Sequence, residues 1–130
     1  MLFRSISQVA AEAALSGDQR CMEPMIKAFR ERHAYVVKTF NEIPGLSCIE
    51  AEGAFYAFPD ARKAIESLFN KKILKEKNDL ALADYLLEKE GIAVVPGSAF
   101  GTEGYFRISF ATSMKNLTEA LTRIKRALSV

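Results

Sequence analysis

The sequence predicts an α/β domain, a small sheet of three or four strands packed with helices. Three observations predict it. GYFRISF (104–110) alternates as a strand does, sending Phe106, Ile108 and Phe110 to one face and Tyr105, Arg107 and Ser109 to the other. Longer stretches toward both ends of the chain and in its middle carry apolar residues at helical spacings of three and four. Between them lie short apolar runs bounded by glycine and proline. At 130 residues, 49% hydrophobic and 26% charged, the chain fits one domain with a buried core.

SISQVAAEAAL (5–15) is rich in strong helix formers, and Gly17 stops it. With alanine on all sides and little large apolar surface, this helix is expected to pack closely against something outside the chain. A second helix begins near Asp18, with Pro24 tolerated in its first turns. Its stripe runs Met22, Ile26, Phe29, His33, Val36 or Val37, and Phe40, and Ile43-Pro44-Gly45 ends it. LSCIE (46–50) and AFYAF (54–58), joined by Ala51-Glu52-Gly53, read as a hairpin or as one bent, bulged strand. Pro59-Asp60 starts a short helix through Leu68, and residues 70–78 form a polar connector.

DLALADYLLEKE is the next helix, with Asp79 near its cap and Gly91 after its end. Leu80, Ala83, Leu86 and Leu87 form its expected buried stripe. IAVV (92–95) reads as an interior strand because it is continuously apolar. The glycine-rich loop PGSAFGTEG (96–104) leads into the strand that carries Arg107. Asn116 and Glu119 suggest a capping box for a last helix, whose inward face is Leu117, Leu121, Ile124 and Leu128.

Several function classes are disfavoured. A net charge of +2 leaves no strong electrostatic footprint for nucleic acid or an anionic membrane. Lys71, Lys72, Lys75 and Lys77 are interrupted by Ile73, Leu74 and Glu76 and read as a solvated connector. No apolar run approaches the ~20 residues that span a bilayer. MLFRSIS lacks a long apolar region and a cleavage site, so it is not read as a secretory signal. Cys21 and Cys48 have no metal-type spacing and read as reduced thiols of a cytoplasmic protein. His33 is the only imidazole, so no metal site is expected.

The remaining chemistry narrows to one residue. His33 lies on a buried stripe and reads as a satisfied histidine rather than a base. GSAFG (97–101) has its serine in the wrong position for a nucleophile elbow and precedes a strand. The loop matches no phosphate-binding fingerprint. Glu88 and Glu90 read as a solvated helix end. Arg107 carries a planar fork that stays charged at any accessible pH and matches a carboxylate through two parallel hydrogen bonds. An unpartnered guanidinium is costly inside a sheet, so Arg107 either points to solvent or binds an anion.

Five segments in order carry a family resemblance: SISQVAAEAALSGDQ, MIKAFRERHAYVVKTFNEIPGLSC, EGAFYAFPD, GIAVVPGSAFG and GYFRISFATSMKNLTEALTRIKRAL. Together, from about Ser5 to Leu128, they resemble the C-terminal part of class I, fold-type I pyridoxal-phosphate-dependent aminotransferases, most like the bacterial aspartate aminotransferases. The resemblance implies that residues 18–130 form that fold's small domain and that residues 1–17 are a helix packing on its large domain. It implies that Arg107, in RISFA, grips the substrate's α-carboxylate. It places GAFYAF near the active-site mouth, with Phe55 or Tyr56 close to substrate and neither assigned a role. VVPGSAFG shapes the site without doing chemistry. Amino acid and 2-oxo acid substrates, a homodimer and pyridoxal phosphate are implied for the full-length enzyme.

The departures carry equal weight. The family's Schiff-base lysine sits in a Ser-Lys segment followed by a glycine/arginine motif, and no lysine here has that context. The asparagine- and proline-rich turn, the aspartate facing the pyridine nitrogen and the phosphate-binding groups belong to the large domain, and MLFR does not fit the family's lead-in. The expectation is a fragment, inactive alone, with no catalytic or cofactor-binding residue of its own. Two rivals stand beside it: a stand-alone α/β module that binds an amino acid or a partner chain without catalysis, and an inactive remnant.

Overall fold

Phe106–Ser109 is the central strand of the sheet, and its two faces organise the rest of the molecule. The structure, a computed structural model, describes residues 5–129. The MLFR lead-in, with it the first four residues of the expected 1–17 helix, and the last residue of the 18–130 span lie outside the described residues. In chain order the elements are α1 (Ser5–Ser16), a 3-10 turn (Arg20–Met22), α2 (Glu23–Asn41), β1 (Tyr56–Ala57), α3 (Arg62–Asn70), α4 (Asp79–Glu90), β2 (Val95–Pro96), a 3-10 turn (Gly97–Phe100), β3 (Phe106–Ser109) and α5 (Met114–Leu128). The sheet order is β1-β3-β2 with both pairs antiparallel.

The core lies on the Phe106 face. Phe106 and Phe110 are fully enclosed with Val36 and Phe40 of α2, Leu82 and Leu86 of α4, and Leu117, Leu121 and Ile124 of α5. Phe40 meets Phe106 edge to face at 5.7 Å, a favoured aromatic arrangement. The inward face of α5 is the one its spacing predicts, Leu128 included. By contrast α1 buries no residue, and its Ile6 and Leu15 are 87% and 83% exposed.

Several expectations are corrected. LSCIE is neither a hairpin arm nor part of a bulged strand. It makes one bridge, in which Ser47 and Asp60 exchange backbone hydrogen bonds of 3.0 and 2.8 Å. Side chains of α2 take the backbone groups a ladder would have used. The Asn41 carboxamide donates to the Cys48 carbonyl and accepts its N–H, both at 2.8 Å, and His33 Nε2 accepts the Ala51 N–H at 3.2 Å. Asn41→Ala removes two of these bonds and is expected to cost about 1–2 kcal/mol. Thermal unfolding and amide exchange at Cys48 check this, and an unchanged Cys48 exchange rate would defeat the explanation.

Helix α4 presents a different face inward. Leu80 and Leu87 are exposed, while Asp79, Leu82, Leu86 and Glu90 are buried. Its cap is Asn78, whose Oδ1 accepts the Ala81 N–H at 2.8 Å, and Gly91 closes it in the left-handed region at φ 66°. Glu90 is therefore not a solvated helix end. Its carboxylate pairs with Arg126 of α5, whose Nε donates to Oε1 at 3.1 Å. That guanidinium holds the Glu90 carboxyl below the usual carboxylate range.

IAVV is not an interior strand. Only Val95 joins the ladder, with Pro96 in an edge strand, where a missing N–H is tolerated. Helix α3 starts at Arg62, two residues beyond Asp60, whose Oδ1 accepts the Arg62 N–H at 3.0 Å, and it ends at Asn70. The 70–78 connector is not wholly polar in its packing, since Leu74 is buried and Ile73 lies against the core. Helix α5 is capped by Ser113, whose Oγ accepts the Asn116 N–H at 3.2 Å, and Glu119 instead pairs with Arg123 one turn on.

Candidate functional site

Alternation along β3 sends Arg107 to the face opposite Phe106, and it is half-buried there. Register brings the neighbouring strands around it, with Val95 opposite Arg107 and Tyr56 opposite Ser109. The guanidinium lies between two aromatic rings. Its Cζ is 4.3 Å from the ring centroid of Tyr56 and 4.3 Å from that of Phe100. Both distances lie inside the range of cation–π attraction.

A second layer of rings supports the first. Phe55 packs on Tyr56 at 4.4 Å. Phe58 meets Phe100 edge-on at 6.1 Å and stacks on Tyr105 at 5.3 Å. The Gly97–Phe100 turn is pinned from two sides. Gly97 donates its N–H to the Tyr105 carbonyl at 2.7 Å, and a Cβ at Gly97 would fall 2.3 Å from the Thr102 carbonyl oxygen, so only glycine allows this approach. From the other side, the enclosed Asp79 carboxylate accepts the Ser98 N–H at 2.6 Å. Burial pushes the Asp79 carboxyl up, but hydrogen bonds from Ser98, its own amide and Gly104 outweigh this and hold it below the usual range.

Charge is unevenly matched on this face. Arg62 pairs with Asp60 at 2.5 Å and lies 5.5 Å from the Tyr105 ring centroid. Arg107 forms none of the ion pairs found among the described residues. A cleft of about 440 Å³ lies elsewhere, lined by Arg62, Lys63, Glu66, Lys77 and Asp79. Its Arg62 and Lys77 are already paired, to Asp60 and Glu66.

The other sequence candidates resolve simply. His33 spends Nε2 on the Ala51 N–H, as a satisfied histidine does. GSAFG is a 3-10 turn between two strands. Cys48 is buried, which pushes its thiol up, and Cys21 is exposed. Among the described residues no group of three His, Cys, Asp or Glu side chains is placed to hold a metal ion, and no helix is long and apolar enough to cross a membrane. Sequence reasoning does not single out Phe100 or assign Asp79 a contact. The available signal for Phe100 was an aromatic set between two glycines just upstream of the arginine strand.

Comparison with known proteins extends this picture. The family model described as aminotransferase class I and II matches residues 1–124. An aspartate/prephenate aminotransferase of Nitrosomonas europaea is 58% identical over 125 residues, covering 96% of this chain and 32% of that protein. An aspartate aminotransferase of Bacillus subtilis is 43% identical over 122 residues, covering 94% and 30%. Among solved structures, the aspartate aminotransferase of Rhizobium meliloti superposes with a TM-score of 0.83 at 41% identity, covering 96% of this chain and 31% of its own. An alanine aminotransferase of Pyrococcus furiosus superposes with a TM-score of 0.81 at 32% identity, covering 94% and 29%. The chain thus spans about a third of the length of the relatives it matches.

Proposed function

The chain belongs to the class I and II aminotransferase family, and on that premise we propose that it is the part of an aspartate-type aminotransferase that holds the α-carboxylate of the amino acid or 2-oxo acid, through Arg107. One observation carries the reading. Arg107 is half-buried, held between two rings, and has no carboxylate partner among the described residues. A guanidinium without a carboxylate partner favours an anion, and its fork matches a carboxylate. Holding the carboxylate fixes where the α C–H bond lies, which is how orientation contributes to rate. Amino-group transfer between an amino acid and a 2-oxo acid, a homodimer and a cytoplasmic setting are proposed for an enzyme of the relatives' length. Helix α1, which buries nothing here, is assigned to packing on the rest of such an enzyme.

In this family pyridoxal phosphate supplies an electron sink for the substrate's α-carbon. The described residues do not fit that cofactor. Every lysine is exposed, whereas a Schiff-base lysine is activated by desolvation or a cationic neighbour in a pocket. No step through the cofactor is assigned to this chain.

The test mixes the purified chain with pyridoxal phosphate, aspartate and 2-oxoglutarate, assays turnover, then reduces with borohydride and maps any labelled peptide. No turnover and no single labelled lysine are expected. One stoichiometrically labelled lysine with turnover would overturn the reading. A saturable response to free amino acids without the cofactor that persists in Arg107→Ala would instead support a stand-alone binding module.

A further inference from the structure

We infer that Phe100 and Tyr56 are positioning residues that hold the Arg107 guanidinium in one plane and leave only its N–H edge open to a ligand; the inference rests on the carboxylate-binding reading of Arg107. The Cζ lies 4.3 Å from each ring centroid, and the two rings reach it from elements on either side of β3, Tyr56 from β1 and Phe100 from the turn that follows β2. A guanidinium has five N–H donors, all in its plane, and its two faces have none. In the inferred arrangement the rings take up the surfaces that cannot donate and restrain rotation about the end of a side chain that is otherwise rich in rotamers. Ordering that would normally be lost on binding is already complete, which raises affinity without adding a contact to the ligand.

The rings also explain how an arginine with no ion pair among the described residues is tolerated at a half-buried strand position. Ring faces carry negative charge density that partly compensates the cation, yet they compete with no carboxylate for its N–H groups. Arg62 provides the contrast on the same face, because its fork is spent on Asp60. The arrangement is itself braced. Phe58 stands edge-on to Phe100, Phe55 lies against Tyr56, and Asp79 ties down the turn that carries Phe100. Phe100 is 46% exposed and takes no part in the core, so core packing does not account for its place beside Arg107.

The test uses the isotope-labelled chain itself, following the Arg107 Nε–Hε resonance while 2-oxoglutarate is added. Ring currents should place the Arg107 side-chain signals upfield of those of the other arginines. Phe100→Leu and Tyr56→Leu should each remove part of that shift and raise the Kd for 2-oxoglutarate roughly three- to tenfold. Tyr56→Phe, which keeps the ring, should stay within about twofold of the parent. The Phe106 and Leu121 amides report on the fold; should Tyr56→Leu disturb them, the exposed Phe100 position decides alone. An Arg107 response that survives loss of either ring at unchanged affinity overturns the positioning role and leaves the carboxylate reading standing. No response at Arg107 in the parent chain overturns the carboxylate reading, and the positioning role falls with it.

Discussion

Arg107→Ala is expected to lower kcat/KM for dicarboxylate substrates by roughly 30-fold to several-thousand-fold, measured in a chimera in which this chain replaces the corresponding segment of the Rhizobium meliloti enzyme. The range converts the about 2–5 kcal/mol lost when one partner of a buried, hydrogen-bonded charge pair is truncated, at 1.36 kcal/mol for each tenfold. In the proposed role of Arg107 the substrate would lose its carboxylate anchor, so KM should rise strongly. Turnover should fall as well, because a substrate held less firmly presents its α C–H bond less often in the reactive direction. Arg107→Lys is expected to recover only part of the loss. An ammonium keeps the charge but offers no planar fork, and it gives Tyr56 and Phe100 no flat cation to cover. Kinetics close to those of the parent for Arg107→Ala would remove Arg107 from the site, and for Arg107→Lys would remove the need for a planar fork.

The two surfaces of the sheet differed in how far they could be read from sequence. Helix α5 was legible because every residue it buries is apolar and Leu117, Leu121, Ile124 and Leu128 are spaced by three or four. Helix α4 misled for the opposite reason, since two of the residues it buries are Asp79 and Glu90. A rule that turns only apolar residues inward rotates such a helix and leaves Leu82 unnoticed. LSCIE has strand-like residues, but whether it pairs depends on Asn41, which reaches its Cys48 from another element, as His33 reaches Ala51 just beyond it. Arg107 stood out because alternation in β3 isolates it on one face. Its ring partners did not, because a loop has no period from which to read where Phe100 points. What the sequence shows, then, is a charge without an evident partner; what geometry adds is the aromatic housing.

Asp79→Ala is expected to destabilise the chain by about 2 kcal/mol at neutral pH, through a charged hydrogen bond lost and a Ser98 N–H left without its acceptor. At this chain length that lowers Tm by roughly 5–10 °C. The loss should also depend on pH in a defined direction. Burial raises the Asp79 carboxyl, and the hydrogen bonds from Ser98, its own amide and Gly104 more than reverse this, so the folded-state value lies below the unfolded one. A group depressed on folding stabilises fully above its unfolded value, about 3.9 for an aspartate, and that contribution disappears as pH falls through the folded value. The stability gap between parent and variant should therefore be constant near neutrality and narrow in acid. Comparing the two chains cancels the similar contributions of Asp60 and Glu90, which are also held down by arginines. Asp79→Asn keeps an acceptor for Ser98 but no titrating charge, so its deficit should be smaller and its contribution independent of pH. The turn that Asp79 ties down carries Phe100, so the alanine variant should also lose part of the upfield shift at Arg107. Thermal unfolding followed by circular dichroism from pH 7 to pH 3 decides the matter: a gap that stays constant into acid would show that the Asp79 carboxylate is not what fastens the turn.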